Sequence, residues 1–212
     1  MKIFTFIVVA LISLTVFGTE KTALPAVSNL PKDAPYLDEV TGVEFPACTG
    51  FFCKEIVKKN PNPVFGTLVR YANERGSCAD VYIYSLNTVA DPVAEKEFEA
   101  HFAETKENIL SLASKPEDGH LKSVSEKTMK SPANEWMEKI PSLRQATFLF
   151  GIAEDEYYSE LHMFLCKGRI IKIRISYPSD IPEEAENAKE FLNALLSLFH
   201  NKTVDHNGCC TH

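Results

Sequence analysis

Catalytic signatures are missing from this chain. It has no Gly-x-Ser-x-Gly elbow, no His-Glu-x-x-His helix, no phosphate-cradling glycine loop and no dinucleotide glycine fingerprint. Each of those chemistries needs its groups at a set spacing, so any catalysis here has to be assembled by the fold. Positive charge is also short. Lys and Arg number 22 against 29 Asp and Glu, a formal net charge of −7, and the cations are scattered. That balance leaves no electrostatic footprint for nucleic acid or an anionic membrane. Past the N-terminal segment, no apolar run reaches the roughly 20 residues that a membrane span needs. Internal repeats and low-complexity blocks are missing too, and the length suits one domain.

What is present begins at the first residue. Lys2 is a minimal basic region, Ile3 to Phe17 is apolar apart from Thr and Ser, and polar sequence resumes at Thr19 and Glu20. These are the parts of a secretory signal over residues 1–18, cleaved after Gly18. The competing reading is an anchored helix, which the short run and its acidic flank oppose. The first Cys is Cys48, far from the junction, so a bacterial lipid anchor is not expected. Cleavage removes Lys2 and no acid, which leaves 21 basic residues (22 less Lys2) against 29 acidic ones. The expected location is therefore outside the reducing cytosol, secreted or periplasmic.

Residues 19–35 are polar and carry Pro25, Pro31 and Pro35, which reads as an extended N-terminal arm. A single α+β domain is expected over 36–200, followed by a flexible Cys/His tail at 201–212. The domain opens with a short strand within Tyr36 to Pro46. Strands then follow over Phe51–Lys58, Gly66–Ala72 and Cys78–Leu86, separated by Asn60-Pro61-Asn62-Pro63 and Asn73-Glu74-Arg75-Gly76. Short polar turns between alternating segments argue antiparallel neighbours. Asp91 and Pro92 suit the start of a helix whose stripe is Val93, Phe98, Phe102, Ile109 and Leu112. The stretch from Glu117 to Leu143 is poorly patterned, with a possible strand over Leu121 to Glu126. Strands return over Gln145–Ala153, Tyr157–Cys166 and Arg169–Tyr177, the last two joined by a tight Lys167-Gly168 turn. Ile171, Ile173 and Ile175 alternate with Lys172 and Arg174, which predicts one buried and one wet face. A closing helix runs from about Ile181 to His200, with Asp180 and Glu183 spaced as a capping box. Two helices that each offer one apolar stripe need a sheet to lie on, so a twisted, mainly antiparallel sheet packed with two long helices is expected.

Six cysteines (48, 53, 78, 166, 209 and 210) suit export and allow fifteen pairings. Cys48 and Cys53 flank Thr49-Gly50-Phe51-Phe52 and could close a local loop. Cys78 and Cys166 sit at strand ends as a second candidate pair, or as small buried hydrophobes. The tail places His206, Cys209, Cys210 and His212 within seven residues, a soft donor set for zinc or copper. Adjacent cysteines and a free terminus oppose that reading, and the alternative is a disordered tail whose thiols pair. His162 and Cys166 share a strand face but stand too far apart for a catalytic pair, and His162 reads as a solvent-facing strand residue. Glu154-Asp155-Glu156 lacks the oxygen spacing of a calcium loop and reads as a solvated turn. Lys172 and Arg174 on the wet face could meet an anion, or, if a helix covers that face, mark a sheet edge or snorkel to solvent. Tyr82, Tyr84, Tyr157, Tyr158 and Tyr177 add aromatic surface of the interface kind, or reflect the ordinary preference of tyrosine for strands.

Three stretches carry a family resemblance: Tyr36 with Gly42-Val43-Glu44-Phe45-Pro46, the hairpin from Leu165 to Ile173, and the helix end Leu195-Leu196-Ser197-Leu198-Phe199. Over roughly Tyr36 to Phe199 the chain resembles the Mog1/PsbP-type α/β/α sandwich, which groups photosystem oxygen-evolving subunits with transport-associated and secreted bacterial proteins. It also resembles short secreted bacterial proteins of unassigned function with strands of the Ala79–Tyr84 and Lys172–Pro178 types. It departs from the PsbP pattern in having no Trp soon after Pro46 and in its extra cysteines. The resemblance implies a binding or assembly role without catalysis, and it transfers no functional residue.

The leading expectation is thus an exported, non-catalytic binding or accessory domain. It has no cofactor, no nucleic-acid ligand and no membrane span after cleavage, and a protein partner is possible. The alternatives are a secreted hydrolase whose site is assembled only in the fold, and a metal-binding protein acting through the tail.

Overall fold

A computed structural model describes residues 33–60, 62, 64–86, 92–112, 121–127 and 136–204. The expected signal segment, most of the arm, Asp91 and the tail ligands His206, Cys209, Cys210 and His212 lie outside the described residues.

The chain order is β1 (Tyr36–Leu37), β2 (Glu44–Phe45), β3 (Cys48–Thr49), β4 (Phe52–Lys59), β5 (Thr67–Ala72), β6 (Cys78–Tyr84), α1 (Glu95–Ser111), β7 (Leu121–Lys127), β8 (Arg144–Ile152), β9 (Asp155–Cys166), β10 (Arg169–Pro178) and α2 (Pro182–Val204). Eight strands form one sheet in the order β3-β4-β5-β6-β10-β9-β8-β7, and every pairing is antiparallel. Two meanders meet at β6 and β10. The first runs inward from β3 to β6. The chain then passes through α1 to the far edge and steps back from β7 to β10.

Alternation along the central strands sends their side chains to two cores, as the period of two requires. Ile171, Ile173 and Ile175 of β10 join Val69, Tyr71, Ala79 and Val81 beneath α2, which contributes Phe191, Leu192, Leu195, Leu196 and Phe199. Phe191 stands 4.6 Å from the ring of Phe52 and 5.1 Å from that of Tyr71. On the opposite face, Phe148, Phe150, Leu161, Met163 and Ile170 pack with Phe98 and Ile109 of α1. The molecule is therefore an α/β/α sandwich around a twisted antiparallel sheet, the architecture expected from the sequence.

Three local differences have plain causes. The opening strand is instead a two-residue ladder, β1 with β2, because Asp38 turns the chain between them. Its carboxylate accepts from the Thr41 N–H and hydroxyl, both at 2.8 Å, and Gly42 takes a positive φ of 70°. Helix α1 starts later than the Asp91-Pro92 signal suggests. The Val93 N–H donates to the Gly168 carbonyl at 3.2 Å, which holds that segment against the β9–β10 turn until Ala94. In the first turn of α2 the acid that finds partners is Glu184, fully buried against Asn73 Nδ2 at 2.6 Å and the Ser77 hydroxyl.

The proposed Cys78–Cys166 disulfide is not formed; both are free thiols. Cys78 is paired with Ser176 and Cys166 with Arg169, seven residues apart along β10. That separation is roughly 23 Å at about 3.3 Å per residue. The two side chains also belong to opposite cores. Bridging requires Cα atoms within about 7 Å.

Candidate functional site

The most distinctive surface is the sheet edge at β4. Strand β3 pairs only at Cys48 with Cys53 and at Thr49 with Phe52, so among the described residues it covers just the start of β4. The β1–β2 segment lies alongside: Lys54 Nζ donates to the Ala34 carbonyl, and Lys59 Nζ meets Glu39 at 3.2 Å. A register shift between Lys54 and Ile56 and the lysines of β4 blunt the edge against chance strand pairing.

The expected Cys48–Cys53 disulfide closes the β3–β4 hairpin. Gly50 turns the tip at φ 57°. Alternation then separates two neighbouring phenylalanines. Phe52 points inward and is wholly buried against Phe191, whereas Phe51 is 63 % exposed. Its exposure has company. Five large hydrophobic side chains stand exposed among the described residues, and four of them lie around β4, Phe51 at its start and Leu37, Val40 and Phe65 by its far end. Met137 is the fifth.

Two polar clusters in the interior are places where chemistry could have been sought. Beneath α1, Arg70 donates to Asp80 through Nε at 2.6 Å and Nη2 at 2.8 Å. Arg174 donates from Nε to the Ser159 hydroxyl at 2.9 Å, and its guanidinium lies 5.2 Å from the Phe150 ring. Lys172 Nζ sits 4.3 Å from the Tyr82 ring and 5.6 Å from that of Tyr84. Burial, and then the Arg174 charge, push the Lys172 ammonium down to about 7, against a smaller upward pull from Asp80. The expectation of a wet face here fails. Lys172 and Arg174 are only 4 % and 6 % exposed, because β10 is a central strand with a layer on each side. The tyrosines follow the same logic. Tyr82, Tyr84, Tyr157 and Tyr177 are buried and Tyr158 is half-buried, so they do not make an aromatic surface.

Beneath α2, Glu160 accepts from the Tyr177 hydroxyl at 2.7 Å and is joined to His162 Nε2 at 3.0 Å. Burial pushes the Glu160 carboxyl up, but the hydrogen bonds and charge of His162 and the Tyr177 bond outweigh it, so the group ends below its ordinary value. The expectation of a solvent-facing His162 is corrected: it is 1 % exposed. It shares its core with Cys166, as strand alternation requires, but its bonded neighbour is Glu160. Burial pushes the Cys166 thiol up to about 11, and burial together with Asp80 pushes Cys78 up to about 12. Thiols so protonated are poor nucleophiles and poor metal ligands.

The acidic turn is a solvated hairpin, as expected. Glu154, Asp155 and Glu156 are exposed between β8 and β9, and Glu154 meets Lys122 at 3.0 Å. Among the described residues no group of three His, Cys, Asp or Glu side chains could hold a metal ion, and no helix is long and apolar enough to cross a membrane.

The sequence pattern pointed to the Cys48–Cys53 loop but not to Phe51, which it placed at a strand start. The available signal was the loop itself, since a four-residue turn between paired cysteines must project part of its contents outward. Glu160 and His162, two apart on one strand, were likewise bound to share a face.

No protein-family model and no curated protein matches the chain. Among solved structures it is similar to the solution structure of cyanobacterial PsbP (CyanoP) from Synechocystis sp. PCC 6803. The TM-score is 0.40 and the identity 10 %, over 87 % of this chain and 95 % of that one. This likeness carries no family, residue role or activity to the chain.

Proposed function

We propose that this chain is an exported, non-catalytic accessory protein that docks on another protein through the β4 edge, with Phe51 as its anchor. The observation that carries this reading is the exposure of Phe51 at a hairpin tip that a disulfide holds in place. A preorganised aromatic anchor loses little freedom on binding and is the kind of side chain on which interface energy concentrates. The interior supports the non-catalytic half. Arg70 is engaged by Asp80, and Glu160 by His162 and Tyr177, while the Cys166 and Cys78 thiols are held protonated. Export is supported by the N-terminal segment and by a disulfide whose cysteines are exposed.

Affinity capture from the native compartment tests it, with wild-type, Phe51→Ser and Met137→Ser proteins compared by mass spectrometry. The reading expects one protein that is retained by wild type and Met137→Ser and lost with Phe51→Ser. Equal recovery on all three would remove the β4 edge from the account.

A further inference from the structure

We propose that Cys48–Cys53 is a thiol–disulfide exchange site, reduced in the folded protein by an external dithiol, and that its reduction releases the hairpin carrying Phe51. Three observations converge on this pair. Both cysteines are exposed, so an attacking thiolate can approach either sulfur. They are directly opposed in register across an antiparallel pair and close a loop of only four residues, Thr49 to Phe52. A short loop constrains the denatured state less than the long-range closures that make disulfides most stabilising. Finally, the strand they fasten is minimal. Strand β3 has two residues and two register pairs, whereas β4 continues into an extended ladder with β5. Opening β3 therefore costs local contacts and leaves both cores intact, which places the bond among the accessible, exchangeable disulfides.

The chemistry balances with one dithiol. Its thiolate attacks the Sγ of one cysteine, the Cys48–Cys53 bond breaks, and the other cysteine departs as a thiolate that takes a proton from water. The second thiol of the reagent, as thiolate, then attacks the mixed disulfide. This frees the first cysteine and leaves the reagent oxidised to its own disulfide. Two electrons pass to the protein. With the clasp open, the backbone around Gly50 and Phe51 is held by the β3–β4 ladder, the Lys54 N–H bond to the Ala47 carbonyl and the buried Phe52. The exchange step stands whether or not Phe51 meets a partner, because it is read chemically.

The test treats the full chain under native conditions with dithiothreitol, traps thiols with iodoacetamide and resolves each cysteine by peptide mass spectrometry. Cys48 and Cys53 should label to completion while Cys166 stays at background, with the near-ultraviolet circular dichroism unchanged. Chymotrypsin should gain a cleavage after Phe51 in the reduced protein. A Cys48→Ser/Cys53→Ser variant should show the same cleavage without reductant. Labelling of Cys48 and Cys53 only in denaturant would overturn the proposal. So would loss of the near-ultraviolet signal on reduction, which would make the bond a structural fastener.

Discussion

Arg70 and Asp80 face each other across β5 and β6 and are joined by two parallel hydrogen bonds, Nε to Oδ1 at 2.6 Å and Nη2 to Oδ2 at 2.8 Å. Asp80 is almost closed to solvent and Arg70 only slightly open. Removing one member strands the other charge in a poorly solvated place. Asp80→Ala should cost about 3 kcal/mol in urea unfolding, and the double variant Arg70→Met/Asp80→Leu should recover most of that. A double variant no more stable than the single one would show that the charges contribute more than their desolvation costs.

Lys172 sets the alkaline behaviour. Its ammonium is depressed from 10.5 to about 7 in the fold, so the unfolded chain binds more protons between those values. Stability should therefore rise with pH from about 7 to about 9, the burden being fully present below that window, and above it the raised Cys78 and Cys166 thiols oppose the rise. Lys172→Met should flatten the rise and raise stability at neutral pH, as measured by unfolding free energy against pH. An unchanged slope would place the titration elsewhere.

Glu160 acts in the opposite sense. Its folded value lies below the ordinary 4.5, so its contribution is present above that value and is lost as pH falls through the folded one. Glu160→Gln should lower the thermal midpoint at neutral pH, where the charge-assisted bonds to Tyr177 and His162 are worth about 1.5–3 kcal/mol in total loss. It should also narrow the gap to wild type on acidification. A gap that stays constant with pH would mean that the carboxylate charge is immaterial.

Gly66 makes the β4–β5 return possible. It takes φ 56°, and a Cβ there would lie 1.9 Å from the Ile83 carbonyl oxygen on the neighbouring strand. Gly66→Ala should destabilise by at least about 2 kcal/mol, since both the backbone conformation and the close approach are refused. Thermal melts that coincide with wild type would contradict the packing of this turn.

Most of the strand order was legible because β4 to β6 and β8 to β10 alternate cleanly between turn residues that stop a strand. Alternation reveals that a strand has two faces, but not what lies over each. For that reason Lys172 and Arg174 read as wet, although β10 is central and α1 closes the second face. The same gap hid the polar cluster beneath α2. Glu160, His162 and Tyr177 meet across paired strands, and register belongs to the assembled sheet. Cys78 and Cys166 looked alike as strand-end cysteines until the pairing placed them at opposite ends of β10 and in opposite cores. Phe51 differs from Phe52 by one step of alternation, which a sequence resolves only once the hairpin register is known.

The most direct test of the docking account is site-specific photocrosslinking, with a benzoyl-phenylalanine placed at position 51 or, as a control, at position 137 in the protein exported from its own cell. The account predicts one discrete adduct from position 51 and none from position 137. The same adducts from both positions, or none from position 51, would contradict it.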